Sequence, residues 1–319
     1  MNRTNKITEA GLFSAILVIF IVGAFYIPIL GGLMTLFLPL STLVLTTRNK
    51  VSYVVVSALV AGLISSALVT LVYGVGMALI ALAVGLPIGL MVKRGQKPLH
   101  AVFAGGIGAV IAFFLLFFLL EWTTGISLME EIEHSFTMSM DFQDTMRETL
   151  TGFGMDGAEE TFEESQQILE DMLYLMGLIL PSILIIFSMF YALVNLAMAQ
   201  QIFKRIKINY HPMGRFSEFS YPRHLAYGSA GMVALAYFIG NMGWIDAELL
   251  VSNFMYLFLM IFGFQGFAVL YFYLLKFFGK IPSRILLAAF FLMGGFQYVA
   301  LFGFMDVLFN FRKIGVSKE

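Results

Sequence analysis

Long apolar runs separated by short polar breaks dominate the pattern of this chain. A helix needs about 20 apolar residues to cross the hydrocarbon core, because each residue adds about 1.5 Å to a layer of about 30 Å. The pattern predicts eight such spans, which cover residues 7–26, 32–47, two parts of 51–92, 100–121, 172–203, 225–244 and 249–275. A last apolar stretch, residues 285–311, is either one tilted ninth span or a re-entrant pair broken at Gly294, Gly295 and Gly303. We favour one span, and the predicted fold class is an all-α transmembrane bundle of eight or nine spans.

Two places in the first membrane block are predicted to be irregular. Pro39 lies inside the short second span, and proline removes a backbone donor and clashes with the preceding turn, so this helix is expected to kink. Residues 51–92 carry no charge until Lys93 and are too long for one crossing, so a turn must divide them. We place that turn near Ser65, Ser66 or residues 73–74.

A segment of opposite character lies between the fifth and sixth spans. Residues 121–171 hold 14 of the 20 acidic residues of the chain and one Lys or Arg, Arg147. Ser127 and Glu130 have the spacing of a capping box, which predicts the start of a helix. Apolar residues then recur at every fourth position, namely Leu128, Ile132, Phe136 and Met140. One amphipathic helix is therefore predicted here.

The acidic segment as a whole is predicted to form a helical hairpin. Residues 152–154 interrupt the first helix, and Asp156 with Glu159 begins a second helix that continues into the sixth span. Three roles are open for it, which are an external cap, a binding lid over a cavity below it, and a divalent-metal site. The metal site is the weakest of these, because Asp141 and Asp144 lack the Asp/Asn alternation and the glycine of a calcium loop.

The composition agrees with a membrane protein. Hydrophobic residues make up 60% and charged residues 12% of the chain, and the mean hydropathy is +0.89, whereas about 25% of residues are charged in soluble domains. We predict a membrane block at residues 1–121, the acidic insert at 122–171 and a second membrane block at 172–319. The chain has no cysteine, which excludes disulfides, thiolate nucleophiles and Cys-ligated metal centres.

Basic residues indicate the orientation, since Lys and Arg in short loops stay on the cytoplasmic side. Fifteen of the 19 basic residues fall on one predicted face, and they are Arg3, Lys6, Arg48, Lys50, Lys93, Arg94, Lys97, Lys204, Arg205, Lys207, Arg215, Arg223, Lys276, Lys280 and Arg284. The N-terminus is therefore predicted inside the cell and the acidic insert outside it. Arg312, Lys313 and Lys318 do not fit nine spans, so the side of the C-terminus stays open.

Neutral polar residues are the candidates for a binding site within the membrane. No charge falls near the centre of the first eight spans, which disfavours an ion-coupled pump. Gln265 and Gln297 each follow a Gly-Phe pair near the middle of a span, and Asn195 lies in the sixth span. Amides at this depth need partners. They either form hydrogen bonds between helices or bind a polar group of a ligand, and these three residues are our candidate substrate-binding residues.

Small residues on the first span form a second candidate site. Ala10 and Ser14 are four residues apart, and so are Gly11 and Ala15. Such pairs let another helix approach closely. The neighbour is either a helix of the same protein or a separate membrane subunit that docks on the first span.

Enzyme chemistry is not predicted. The sequence has no phosphate-binding Gly-rich loop, no paired metal-binding histidines and no nucleophile elbow. Asp306 and Arg312 are six residues apart and would not share a helix face, so we do not pair them. We expect no catalytic residue, metal site or cofactor. The basic and aromatic segment 204–223 is expected to contact anionic lipid headgroups rather than nucleic acid.

Three segments resemble the YybS-like bacterial membrane proteins, a family of unknown function. They are Ile-Thr-Glu-Ala-Gly-Leu at residues 7–12, Pro-Ile-Leu-Gly-Gly at 28–32 with Pro39 after it, and Gly-Phe-Met-Asp-Val-Leu-Phe-Asn-Phe-Arg-Lys at 303–313. The resemblance covers most of the chain. It implies a multi-pass protein of the bacterial cytoplasmic membrane.

The first six spans are also similar, more distantly, to the S-components of energy-coupling-factor vitamin transporters. In that family a small-residue motif on the first helix docks the coupling subunit, which implies this role for Ala10, Gly11, Ser14 and Ala15. A short, irregular second helix is shared as well. The acidic insert and the two or three spans after the sixth differ from that family.

Two functions follow as expectations. The first is an S-component-like protein that binds or passes a small molecule within a transport assembly, with a separate ATPase as the energy source. This function needs an outward-open cavity of at least about 300 Å³, lined by Gln265, Gln297 or Asn195. The alternative is a membrane scaffold that recruits envelope or signalling proteins, and its helices should be packed without such a cavity.

Overall fold

The computed structural model describes residues 3–152, 159–243 and 246–314. All regular elements in these ranges are helices, which confirms the predicted class. They are α1 Arg3–Tyr26, α2 Pro28–Arg48, α3 Val51–Leu68, α4 Leu71–Lys93, α5 Pro98–Thr124, α6 Leu128–Gly152, α7 Glu159–Ile206, α8 Arg223–Asn241, α9 Ala247–Phe278, α10 Lys280–Leu292 and α11 Phe296–Phe309, with a 3₁₀ turn at Phe216–Glu218.

Seven helices within the described ranges are long and apolar enough to cross a membrane, and they are α1 to α5, α7 and α9. An eighth span is added if α10 and α11 together count as one broken span. Helix α8, predicted as the seventh span, has 19 residues and is not among these seven.

Two helix boundaries differ from the predicted ones for local reasons. Helix α2 is 21 residues long rather than short, because Pro28 occupies its first turn and starts the helix. The break between α3 and α4 falls at residues 69–70, between the predicted alternatives of Ser65 or Ser66 and residues 73–74. Thr70 caps α4 there, since its side-chain oxygen accepts a hydrogen bond from the Tyr73 amide at 3.3 Å.

The chain forms two compact units, and α7 contributes to both. Unit 1 comprises residues 1–175 and 187–213, and unit 2 comprises residues 176–186 and 214–319. The predicted domain boundary at residue 172 lies inside α7. In unit 1, α4 packs closely on α2 because Gly85 and Gly89 face Thr42 and Thr46 with no room for a side chain.

Unit 2 is built around α9. Helix α11 crosses it where Gly266 and Gly303 let the two backbones touch, and Phe262 fills the core beside Ala226 of α8. The last apolar stretch is not one straight helix: the chain breaks at residues 293–295 and α10 and α11 are bent by 117°, which leaves either a broken span or a re-entrant loop. Gly294 allows the break with a positive φ of 73°.

Candidate functional site

The candidate residue Asn195 lies in unit 1, where it donates a hydrogen bond to the backbone of the proline-containing helix α2. Pro39 of α2 has no N–H, so the carbonyl of Thr35 lacks its usual helical donor. The hydroxyl of Tyr191 donates to that carbonyl at 2.7 Å. Asn195 donates to the next carbonyl, that of Leu36, at 3.0 Å, and its own side-chain oxygen is buried without a hydrogen-bond partner.

Unit 2 has the same arrangement around Pro181 of α7. The side-chain nitrogen of Asn253 on α9 donates to the carbonyl of Leu178 at 2.7 Å. Its side-chain oxygen accepts from the Ser182 hydroxyl at 2.7 Å and from the Ser182 amide at 3.2 Å. Each asparagine therefore donates to the helix carbonyl that follows the one freed by the proline, and in unit 1 the freed carbonyl itself is bound by Tyr191.

Gln265 belongs to a buried polar network, which we define as Gln265, Asp306 and Arg312. Arg312 and Asp306 form an ion pair with 2.7 Å between Nη2 and Oδ2, and their side chains are 0% and 1% exposed. Gln265 donates to the same Oδ2 atom at 2.9 Å. Its amide oxygen accepts from the backbone amide of Tyr221 at 3.1 Å. Burial raises the pKa of the Tyr221 hydroxyl above its ordinary value.

The network also connects the segment after α11 to the 3₁₀ turn before α8. Arg312 donates through Nη1 to the carbonyl of Ser217 and through Nη2 to that of Phe219, each at 2.7 Å. The guanidinium thus has the carboxylate and both carbonyls as partners. Its charge is balanced within the protein, and the arrangement is suited to fixing two segments together.

Our reason for leaving Asp306 and Arg312 unpaired was wrong. The spacing of six residues separates them only on a continuous helix, and α11 ends at Phe309. Asn310 adopts a left-handed conformation with φ 51°, and its amide donates to the Asp306 carbonyl at 2.7 Å. The chain turns back there and brings Arg312 to Asp306. An asparagine after a long apolar run is a recognisable helix end.

The second candidate amide, Gln297, is not part of this network. It is exposed on α11, whereas Gln265 is fully buried. The preceding glycines also differ in their surroundings, since Gly263 lies against the ring of Phe296 and Gly295 against that of Phe290. The repeated Gly-Phe-Gln pattern therefore does not bring the two amides together.

Of the four small residues of α1, Ala10 and Ser14 are buried and Gly11 and Ala15 are exposed. Ser14 donates to the Ser57 carbonyl of α3 at 2.7 Å, and the Ser57 hydroxyl donates to the Ala10 carbonyl at 3.1 Å. Ala10 and Ser14 are thus occupied by packing within unit 1. Gly11 and Ala15 are exposed, and a side chain on Gly11 would meet open space. Docking of a subunit on α1 stays a prediction for the exposed pair.

The acidic hairpin, defined here as α6 with residues 159–175 of α7, contains the predicted capping box. The Ser127 amide donates to the Glu130 carboxylate at 2.6 Å, and the Glu130 amide donates to the Ser127 hydroxyl at 3.2 Å. These hydrogen bonds from Ser127 lower the pKa of Glu130 below its ordinary value. The second helix continues into the membrane as predicted, because α7 is one helix of 48 residues. Asp156 lies outside the described residues.

The two helices of the acidic hairpin are joined by polar contacts. Gln166 donates to Asp144 at 2.8 Å and Ser165 donates to Gln143 at 3.1 Å. The predicted apolar positions of α6 are partly buried, and they are Leu128, Ile132, Phe136 and Met140. The periodic pattern therefore identified one face of α6 correctly.

A second apolar row on α6 was missed. Met138, Phe142 and Met146 follow at every fourth residue and are 61%, 65% and 46% exposed. They line an open groove of about 720 Å³ together with Ser135, Ser139, Gln143 and Ser165. The missed signal was the same four-residue spacing, displaced by two residues from the stripe that we recognised. We call this feature the groove.

A divalent-metal site was the third role open for the acidic segment, and the structure describes residues 3–152, 159–243 and 246–314. No three histidine, aspartate or glutamate side chains come together there as a metal site needs. On α6, Asp144 is engaged instead by Gln166 and lies 3.7 Å from Arg147.

Comparison with known proteins gives one family and one curated relative. The family described as predicted membrane protein (DUF2232) matches residues 15–307. The uncharacterized protein YybS of Bacillus subtilis (strain 168) is 20% identical over 226 residues, which are 70% of this chain and 70% of that protein. No solved structure matches the chain.

Proposed function

Because the chain belongs to the DUF2232 family of membrane proteins, we propose that it is a multi-pass membrane scaffold that presents the acidic hairpin to a partner outside the cytoplasmic membrane. The exposed row Met138, Phe142 and Met146 carries this proposal. An apolar groove outside the membrane segments costs free energy in water unless something covers it, and such surfaces are typical of interaction sites.

The hydrogen bonds of the polar residues in the membrane helices also support the scaffold proposal. Asn195 and Asn253 donate to helix carbonyls beside prolines, and Gln265 is bonded to Asp306 and Tyr221. A substrate would have to displace those bonds to reach the side-chain nitrogens of the two asparagines or the amide of Gln265, and leaving a buried polar group unpaired costs about 1–3 kcal/mol. The intramembrane polar residues are therefore better suited to holding helices together than to binding a solute.

The proposed orientation has the N-terminus in the cytoplasm and the acidic hairpin outside. Glu9 and Arg48 form an ion pair, and Lys93 donates to the Asn49 carbonyl at 2.6 Å, so charged groups gather where α1, α2 and α4 have their proposed cytoplasmic ends. Arg312 binds the segment that precedes α8. The C-terminus is then on the cytoplasmic side with the basic residues of that segment.

A transport function is the second candidate, and one observation favours it. Gly11 and Ala15 are exposed on α1, and the resemblance to S-components implies that a coupling subunit docks at these positions. In this case the protein would bind a small molecule and pass it on with the help of a separate ATPase. The predicted ligand residues Gln265 and Asn195 would then have to change partners during binding.

Site-specific photocrosslinking in intact cells tests the two candidates against each other. A photoreactive side chain at Phe142 lies in the groove, one at Thr137 is exposed elsewhere on α6, and one at Gly11 lies on α1. The scaffold proposal expects a discrete protein adduct at Phe142 and none at Thr137. An adduct at Gly11 alone, with a small molecule retained by the purified protein, would establish the transport candidate instead.

A further inference from the structure

We infer that the groove of the acidic hairpin binds a cationic amphipathic helix of a partner protein. This inference rests on the proposed function and specifies the chemistry of the partner. Three features of α6 support it. They are the spacing of its exposed apolar residues, the size of the groove, and the placement of charged residues around the groove.

The spacing of the apolar residues fits a helix rather than an extended segment. Met138, Phe142 and Met146 form one row along α6, and the groove extends from Ser135 to Met146, which is about 17 Å along the helix axis. A partner helix with apolar residues at every third or fourth position would place one side chain per turn against this row. Methionine adapts its shape to the side chains it meets, which suits a docking surface.

The size of the groove also fits this occupant. Its volume is about 720 Å³, and it is open to solvent. The groove is formed by side chains of α6 together with Ser165 of α7, so both helices of the acidic hairpin contribute to it. Several apolar side chains of a partner can therefore enter it together.

The charged residues around the groove indicate that a partner bound there is positively charged. Glu131 lies on the same face of α6 as Met138, two turns before it, and Asp141 lies beside the row. Arg147, the one Lys or Arg in residues 121–171, lies one turn after the groove residue Gln143 and 3.7 Å from Asp144. Because the segment carries 14 acidic residues and this single basic one, lysines or arginines flanking the apolar stripe of a partner would meet an excess of carboxylates.

The same charges disfavour two other occupants. A second copy of the acidic hairpin would bring carboxylates against carboxylates, which repel each other. An anionic lipid surface would be repelled for the same reason. A cationic amphipathic helix is the occupant that satisfies both the apolar row and its acidic border.

Binding of defined peptides to the full-length protein tests this inference. The protein is placed in nanodiscs of zwitterionic lipid, and empty nanodiscs measure binding to lipid. The probe is a synthetic amphipathic helix of leucine and lysine, and its control has glutamate at every lysine position. We expect saturable binding of the lysine peptide to the protein only, weakened by added salt because the charges are exposed.

Variants of α6 identify the surface that is used. Phe142→Ser should weaken binding of the lysine peptide about tenfold, because it removes one large apolar contact. Glu131→Gln and Asp141→Asn should reduce the affinity and its salt dependence, whereas Glu133→Gln, the same charge change away from the row, should leave both unchanged. Equal binding by the wild type and Phe142→Ser, or equal binding of the glutamate peptide, would overturn the inference.

The failure of this inference can be told apart from failure of the proposed function. If an adduct forms at Phe142 in cells but the lysine peptide does not compete with it, the groove docks a partner of other chemistry and the inference is wrong. If no adduct forms at Phe142, the scaffold function itself is wrong. Loss of the adduct on adding the lysine peptide to isolated membranes would support both.

Discussion

Replacing Arg312 by methionine should destabilise unit 2 more than any change at an exposed ion pair. The variant leaves the Asp306 carboxylate buried with Gln265 as its remaining side-chain donor, and it removes the donors to the carbonyls of Ser217 and Phe219. Breaking a buried pair on one side costs about 3–5 kcal/mol, which is a large part of the stability of a typical domain.

A second change should restore part of that loss. Asp306→Asn in the Arg312→Met background removes the unpaired negative charge and keeps an oxygen for Gln265. The double variant should therefore be more stable than Arg312→Met alone, although it carries one more substitution. The matched control is Arg215→Met, because the Arg215 side chain is 83% exposed and lies 3.5 Å from Glu218. It should change the stability by no more than about 1 kcal/mol.

The absence of cysteine provides the assay. Ser283 is buried in unit 2, so a Ser283→Cys substitution introduces one thiol that reacts only when that part of the protein opens. Alkylation of the detergent-solubilised protein across a denaturant series gives the free energy of opening for each variant. If Arg312→Met opens no more readily than Arg215→Met, or if the double variant is the least stable, the ion pair does not hold unit 2 together.

Four further outcomes follow from the structure. The pKa of Glu130 is lowered from 4.5 in the folded state, so the capping box should stabilise α6 above this pH and be lost as the pH falls through the lower folded value. Protection of the Ser127 amide from hydrogen exchange should fall there in the wild type but not in Glu130→Gln, because this amide donates to the Glu130 carboxylate. Asn195→Leu should cost about 1–3 kcal/mol by removing the donor to the Leu36 carbonyl, measured by the same thiol method with a reporter in unit 1. Gly11→Leu should reduce association with a membrane partner and leave insertion intact, and undiminished co-purification of that partner would count against docking on α1. Cysteines at Thr137 and Lys313 should react with impermeant reagents from outside and from inside the cell respectively, and the reverse pattern would invalidate the proposed orientation.

Local signals predicted the parts of the structure that depend on neighbours in sequence. The capping box of Ser127 and Glu130 is a contact across three residues, and its geometry follows from the helix itself. The continuation of the acidic segment into the membrane was likewise predictable, because no helix-breaking residue separates the two parts of α7 before Pro181.

Contacts across the fold were not predictable in the same way. The pairing of Asp306 with Arg312 depends on the left-handed turn at Asn310, which the apolar pattern does not show. The partners of Asn195 depend on which helix lies beside Pro39, and a single sequence does not contain that information. The second apolar row of α6, Met138, Phe142 and Met146, was not predicted. Two apolar rows on one helix place apolar residues at most spacings, so the four-residue period of either row is hard to recognise.

Helix α7 also has a mechanical consequence. Its 48 residues correspond to a rod of about 72 Å, and no loop interrupts it between the acidic hairpin and the basic residues at its other end. A force applied to the hairpin would be carried along this rod as tension or torque instead of being absorbed by a flexible joint. The helix bends most easily at Pro181, because the proline removes one backbone hydrogen bond. Asn253 stabilises the helix there through its hydrogen bonds with Ser182 and Leu178. Traction on the acidic hairpin would therefore act first on the helix at that proline.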